Sequence, residues 1–239
     1  KNFLSISSDK NQGRELRNYK AEISCINLQF TYPNKRNPIF ENLNFTADAG
    51  KILVITGVNG SGKSTLIKTI AGILDLNKGQ ILVDQVDLSQ LSLNWYRKQI
   101  IYSPQEPKFI DGSLAENIIG TNKIENKEIN AVLKDADLLN YINNHEQGIS
   151  MKLDNRGEEL ALGIRKRISI ARSIVNDGQI VIFDEPTEGL DEAGKQSVIS
   201  LIDKFKKKNK TIIIATNDQD IINDSDKLVD LNKINNLQK

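Results

Sequence analysis

The chain has 239 residues, enough for one medium domain or a core with an inserted lobe. Its net charge of +1 creates no global field to recruit nucleic acid, and none is expected as a partner. The single cysteine, Cys25, excludes an internal disulfide framework, and no apolar run approaches the ~20 residues that span a bilayer. Cys25 is expected as a small apolar residue in a strand. The chain starts at Lys1 and its only methionine is Met151, so it is expected to be a fragment or a processed product.

Residues 1–20 are polar and without sustained periodicity, as in a linker or an extended arm. Two strand patterns follow, "EISCINLQFTY" and "FENLNFTA", joined by the turn "PNKRNP". "KILVIT" (51–56) is nearly all apolar, the pattern of a strand buried on both faces of a parallel sheet. "KSTLIKTIAGIL" (63–74) predicts a helix, and "GQILVD" and "QIIYS" predict strands. Residues 106–160 predict polar, mostly helical segments with no long apolar strand. Strand–helix alternation then resumes: helix 163–176, strand 179–184, helix 191–208, strand 211–216 and a last strand near "KLVDL". That alternation predicts a parallel α/β sheet with a helical lobe inserted into it. The run "KFKKKNK" (204–210) is expected as a solvated helix end.

"GVNGSGKST" (57–65) matches G-x-x-x-x-G-K-S/T, between an apolar strand and a helix as that motif requires. Gly57, Asn59, Gly60, Ser61, Gly62, Lys63, Ser64 and Thr65 form the candidate phosphate cradle. Glycines let backbone N–H groups turn toward phosphate oxygens, and the helix start adds its positive dipole. Lys63 supplies charge to the β- and γ-phosphates, and the Ser64 hydroxyl can ligate Mg²⁺. "IVIFDE" (180–185) is a buried-strand pattern ending in two acids. Asp184 is placed to hold the metal, and Glu185 to polarise an attacking water as general base. In "ELALGIRKRISIAR" (159–172), Gly163 precedes Arg165, Lys166 and Arg167. Taken alone, that stretch reads either as an anion site at a helix start or as a turn followed by a solvated basic face.

The order and spacing of these motifs resemble the nucleotide-binding domain of an ATP-binding cassette (ABC) transporter, from about Ile23 to Leu231. The resemblance implies a P-loop, RecA-like parallel sheet with an N-terminal antiparallel β subdomain and an inserted α-helical subdomain. It divides the chain into an arm (1–20), a first core segment (21–104), a helical segment (105–162) and a second core segment (163–239). It implies ATP and Mg²⁺ as cofactors. Tyr32 falls where the family stacks an aromatic ring on adenine. Gln105 falls at the Q-loop glutamine, which contacts Mg²⁺ and water. "TEGLD" (187–191) resembles the D-loop, and "LDNRGEEL" (153–160) the charged loop before the family signature. The context "PQEPKFIDGSLAEN" is similar to exporter cassettes, which carry a membrane domain on the N-terminal side of the same chain. The implied place is the cytoplasmic face of the inner or plasma membrane, and the implied cargo a peptide or protein.

Two motifs depart from the family pattern. "LALGI" stands where the signature is usually Leu-Ser-Gly-Gly-Gln, so Ala161 replaces the serine and Leu162 the first glycine. In the family this segment reaches the γ-phosphate of a partner across a head-to-tail dimer. Gly163 and the helix dipole remain to face it. After "TIIIAT" the family has a histidine that bridges γ-phosphate and catalytic glutamate; here it is Asn217, which can donate a hydrogen bond but carries no charge. The only histidine, His145, is expected as an ordinary surface residue. The resemblance therefore implies an exporter motor domain whose hydrolysis is slow, or is completed by a different partner chain. The alternatives are a weakly hydrolysing regulatory module in a heterodimeric transporter, and a soluble cassette ATPase.

Overall fold

The computed structural model describes residues 13–33, 35–120 and 126–236. Its centre is a five-stranded, all-parallel sheet. The strands are β3 (Ile52–Thr56), β6 (Ile100–Ser103), β9 (Ile180–Asp184), β10 (Thr211–Ala215) and β11 (Lys227–Asp230), in the order β11-β3-β10-β9-β6. Alternate residues of each strand enter separate cores. Leu53, Ile55, Ile180, Ile182 and Ile213 face one layer; Ile52, Val54, Val181, Phe183, Ile212 and Ile214 face the other. Over β3, β6, β9 and β10 both faces are covered, which is why these strands read as apolar runs; β11 leaves Lys227 and Leu228 exposed. Full burial of each such side chain contributes about 1.5–3 kcal/mol.

The first layer holds α1 (Lys63–Ile70) and a four-stranded antiparallel sheet, β2-β1-β4-β5. Its strands are β1 (Ile23–Phe30), β2 (Phe40–Ala47), β4 (Lys78–Val83) and β5 (Val86–Asp87). Cys25 is buried in β1, as expected. From Gly13 the arm lies along this layer: Arg14 bridges Leu91, and Tyr19 packs edge-on against Trp95 of α2 (Leu93–Lys98). The expected arm otherwise falls in residues 1–12, outside the described part.

The second layer carries the inserted lobe. It comprises β7 (Gly112–Ser113), α3 (Leu114–Ile119), α4 (Asn126–Asp135), α5 (Leu139–Asn143) and β8 (Lys152–Leu153), and it leads into α6 (Leu162–Ile174). Ser113 and Glu116 form a capping box that starts α3, a Ser-x-x-Glu signal present in the sequence. The helix α6 packs on both α3 and β6. After it, α7 (Glu192–Lys207) covers β10, and two short helices complete the chain, α8 (Gln219–Asn223) and α9 (Leu231–Asn236).

Three details depart from the sequence expectation. The helix expected over 63–74 stops at Ile70, because Gly72 adopts φ 65° and turns the chain out of the helix. Lys210, expected in a solvated run, is 2% exposed; its ammonium donates to Asp177 Oδ1 at 2.7 Å and to the Gly178 carbonyl at 2.6 Å. The strands β5, β7 and β8, each two residues long, carry no periodicity to read. Among the described residues no helix is long and apolar enough to cross a membrane.

Candidate nucleotide site

Parallel register sets the site. Ala215 of β10 lies beside Ile55 of β3 and Asp184 of β9, and Ser103 of β6 beside Phe183. The carboxyl ends of four strands therefore finish along one edge, and the segments leaving them carry Gly57, Gln105, Glu185 and Asn217. Such an edge is where open α/β sheets receive ligands. Tyr32, Asn59, Gly60, Gly62, Lys63, Ser64, Thr65, Gln105 and Glu185 line one cleft there, of about 480 Å³.

The loop from β3 to α1 is shaped by glycine. Gly62 starts α1 at φ 101°, and a Cβ there would stand 2.6 Å from Ile39 Cγ2. Another residue type would be strained by its backbone and crowded by its neighbour. Lys63 is buried; its ammonium donates to the Gly57 carbonyl at 2.7 Å and pairs with Glu185 Oε1 at 3.3 Å. Ser61 Oγ is buried without a hydrogen-bond partner among the described residues. An orphaned hydroxyl beside a glycine-shaped helix start fits a phosphate oxygen as its missing partner.

Next to it, Ser64 Oγ donates to Asp184 Oδ1 at 3.1 Å and lies 3.5 Å from Gln105 Oε1. Three oxygens from three elements thus converge, one of them from a carboxylate 2% exposed. That all-oxygen set fits Mg²⁺, which takes one or two carboxylates and fills its other positions with phosphate and water. Burial holds the Asp184 carboxyl above the ordinary carboxylate range; Glu185 adds to this, while the Ser64 bond, Lys68 and Lys63 oppose it. A divalent cation would relieve it.

Glu185 adopts φ 46°, left-handed for a non-glycine residue. Its N–H donates to the Ala215 carbonyl at 2.8 Å, and its own carbonyl accepts from Lys166 Nζ at 2.6 Å. Tyr32 is 36% exposed at the cleft mouth, edge-on to Phe30 at 4.9 Å, with its hydroxyl 3.1 Å from Thr65 Oγ1. We expect Tyr32→Ala to weaken ATP binding by about 1–3 kcal/mol, the range for stacking a base on an aromatic ring. The melting temperature of the nucleotide-free protein should barely move. A large fall in melting temperature with full affinity would assign Tyr32 to the core instead.

Asn217 is engaged at the start of the loop that leaves β3. Its Oδ1 accepts from Thr56 Oγ1 at 2.7 Å and from the Gly57 N–H at 3.2 Å, and its Nδ2 donates to the Gly57 carbonyl at 3.0 Å. The amide clasps the entry to the phosphate loop. Ala161 and Gly163 lie outside the cleft. Ala161 is the N-cap of α6 and supplies no side-chain cap, and Leu162 is 42% exposed over Gly189.

The basic run is not a solvated face, for each cation has a partner inside the molecule. Arg165 donates to the Pro107 carbonyl at 3.0 Å, and Arg167 pairs with Asp191 at 3.1 Å and Asp137 at 3.2 Å. Lys166 is buried and pairs with Glu188, whose Oε2 also accepts from Gln105 Nε2 at 3.0 Å. Burial lowers the Lys166 pKa, and Glu188 and Glu185 oppose that shift. Sequence reasoning missed Lys166 and Glu188. The available signal was a buried stripe at helical spacing, Lys166, Ser169 and Ser173. His145 is exposed, as expected, its Nδ1 accepting from the Gln147 N–H.

A parallel sheet, a glycine loop entering a helix, and an oxygen-donor pocket at the strand ends define a phosphate-loop nucleotide-binding domain. The ABC transporter family profile matches residues 40–188. The chain belongs to this family, as an ATP-binding domain whose fold and chemistry are those of an ATPase. It is 33% identical over 215 residues to ABC transporter B family member 14 of Arabidopsis thaliana, which covers 90% of this chain and 17% of that protein. It is 34% identical over 212 residues to multidrug resistance protein pgp-1 of Caenorhabditis elegans, covering 88% and 16%. It is 30% identical over 216 residues to the ATP-dependent lipid A-core flippase of Escherichia coli strain K12, covering 89% and 37%. The chain thus spans a minor part of each relative's length. A solved bacterial Atm1-family ABC exporter with ATP bound superposes with a TM-score of 0.86 at 26% identity, over 92% of this chain and 39% of that one.

Proposed function

We propose that this chain is the ATP-binding motor domain of an exporter, acting at the cytoplasmic face of a membrane. The observation that carries the reading is the convergence of Ser64, Asp184 and Gln105 at the edge of the cleft that Lys63 and Glu185 line. In this reading the loop from Gly57 to Thr65 holds the phosphates and Tyr32 the base. Ser64, Asp184 and Gln105 hold Mg²⁺, which neutralises developing phosphoryl charge when bound. Glu185 takes the proton of the attacking water. Residues 21–104 and 163–239 form the core, and 105–162 the helical part. The Ala161–Gly163 segment lies outside the cleft, so its use requires a second cassette, head-to-tail. A membrane domain preceding Lys1 on the same chain and a peptide or protein cargo rest on the Q-loop context alone.

A second reading, a regulatory cassette that hydrolyses weakly, is favoured by Asn217, whose amide is committed to Gly57 and Thr56. Both readings require closure on nucleotide. We expect Glu185→Gln with MgATP to double in mass by light scattering, and to return to the single-chain mass when Mg²⁺ is chelated. A mass unchanged by MgATP at high protein concentration would contradict the head-to-tail assembly.

A further inference from the structure

We propose that Lys166 is a positioning residue for hydrolysis, fixing the Glu185 backbone directly and Gln105 through Glu188. This inference rests on the reading of Glu185 as base and Gln105 as metal ligand. Lys166 projects from the second turn of α6 and is 3% exposed. A buried ammonium persists only where polar partners replace its water. It has two. One is the Glu185 carbonyl, 2.6 Å away; the other is Glu188 Oε2, 3.6 Å away. Glu185 needs the first, because a left-handed non-glycine residue holds only where its surroundings over-determine it. Four anchors do so here: the Ala215 carbonyl on its N–H, Lys166 and the Glu188 N–H on its carbonyl, and Lys63 on its carboxylate.

The second partner extends the arrangement. Glu188 Oε2 accepts from Gln105 Nε2 at 3.0 Å, and Gln105 Oε1 lies 3.5 Å from Ser64 Oγ. The amide of Gln105 is therefore oriented, its nitrogen toward Glu188 and its oxygen toward the hydroxyl that also meets Asp184. Glu188 is itself half-exposed, and the buried charge pairs with its carboxylate from one side as Gln105 does from the other. One side chain on α6 thus holds both Glu185 and, through Glu188, Gln105, and a shift of α6 would move both.

The test compares Lys166→Met, Glu188→Ala, the double variant and Glu185→Gln with wild type, reading single-turnover MgATP hydrolysis and ATP affinity in EDTA. Lys166→Met is expected to lower the rate by about tenfold or more while affinity stays within about twofold, since positioning acts on the transition state and not on nucleotide binding. Glu188→Ala should lower the rate by about threefold, and the double variant should be no slower than Lys166→Met, because Lys166 reaches Gln105 only through Glu188. Should Lys166→Met fail to fold, seen as lost ATP affinity, Glu188→Ala at its exposed site decides alone: an unchanged rate overturns the inference. A Lys166→Met rate within about twofold of wild type, or a double variant equal to the product of the singles, also overturns it. If Glu185→Gln hydrolyses ATP like wild type, the reading of the site fails first, and the inference with it.

Discussion

Lys63→Ala is expected to weaken ATP binding by about 1.5–3 kcal/mol, the loss of a charge-assisted contact to the β- and γ-phosphates. The structure adds a second consequence. Lys63 is the cation paired with Glu185, and it ties the Gly57 carbonyl across the loop. Without it, Gly57 keeps its bonds to Asn217, so the loop should retain its shape. The loss should therefore appear in nucleotide affinity, measured by calorimetry, and much less in the melting temperature of the nucleotide-free protein. Unchanged affinity would refute the assignment of the loop.

Restoring the family residues in the two divergent motifs is expected to raise turnover. Ala161→Ser with Leu162→Gly returns a hydroxyl to the uncapped start of α6 and removes the side chain that lies over Gly189. Asn217→His returns a group that can carry charge toward the γ-phosphate. Each donor regained by a developing phosphoryl charge is worth roughly 2–4 kcal/mol, by analogy with oxyanion donors. The histidine change also has a structural cost. It removes the amide that meets Thr56 and Gly57, at about 0.5–1.5 kcal/mol for each hydrogen bond lost. Asn217→His should thus lower the melting temperature while raising the rate. In a homodimer both defects fall in each composite site, so the gains should not simply add. Beside a standard partner they fall in different sites and should be closer to independent. A combined gain of about tenfold or more in kcat at saturating ATP supports the slow native state. No gain over a brisk wild type would mean that the site has been rebuilt around Asn217.

What the sequence made legible was local. Four of the core strands, β3, β6, β9 and β10, could be read because both their faces are buried, which leaves apolar runs with little alternation to interpret. The phosphate loop could be read because its chemistry occupies nine consecutive residues. Asp184 and Glu185 stood out as charges ending such a run. What could not be read depends on residues far apart in the chain. Asn217 meets Gly57 across 160 positions, and its orientation is decided by the Thr56 hydroxyl waiting there. Lys166 reads as one of three basic residues in a row until the fold brings Glu188 and the Glu185 carbonyl beneath it. Lys210 sits in a lysine-rich run, and only the turn at Asp177 and Gly178 makes it a buried cation.

In the proposed function this cleft binds MgATP and hydrolyses it with Glu185 as base. The most direct measurement is the rate of phosphate release from MgATP by the purified chain, for wild type and Glu185→Gln, at a concentration that permits dimerisation. The account predicts a slow but measurable wild-type rate that vanishes when Mg²⁺ is chelated. It predicts a fall of about 10²–10⁴-fold in Glu185→Gln, the range for losing a general base, with ATP affinity retained. A Glu185→Gln variant that releases phosphate at the wild-type rate would contradict it.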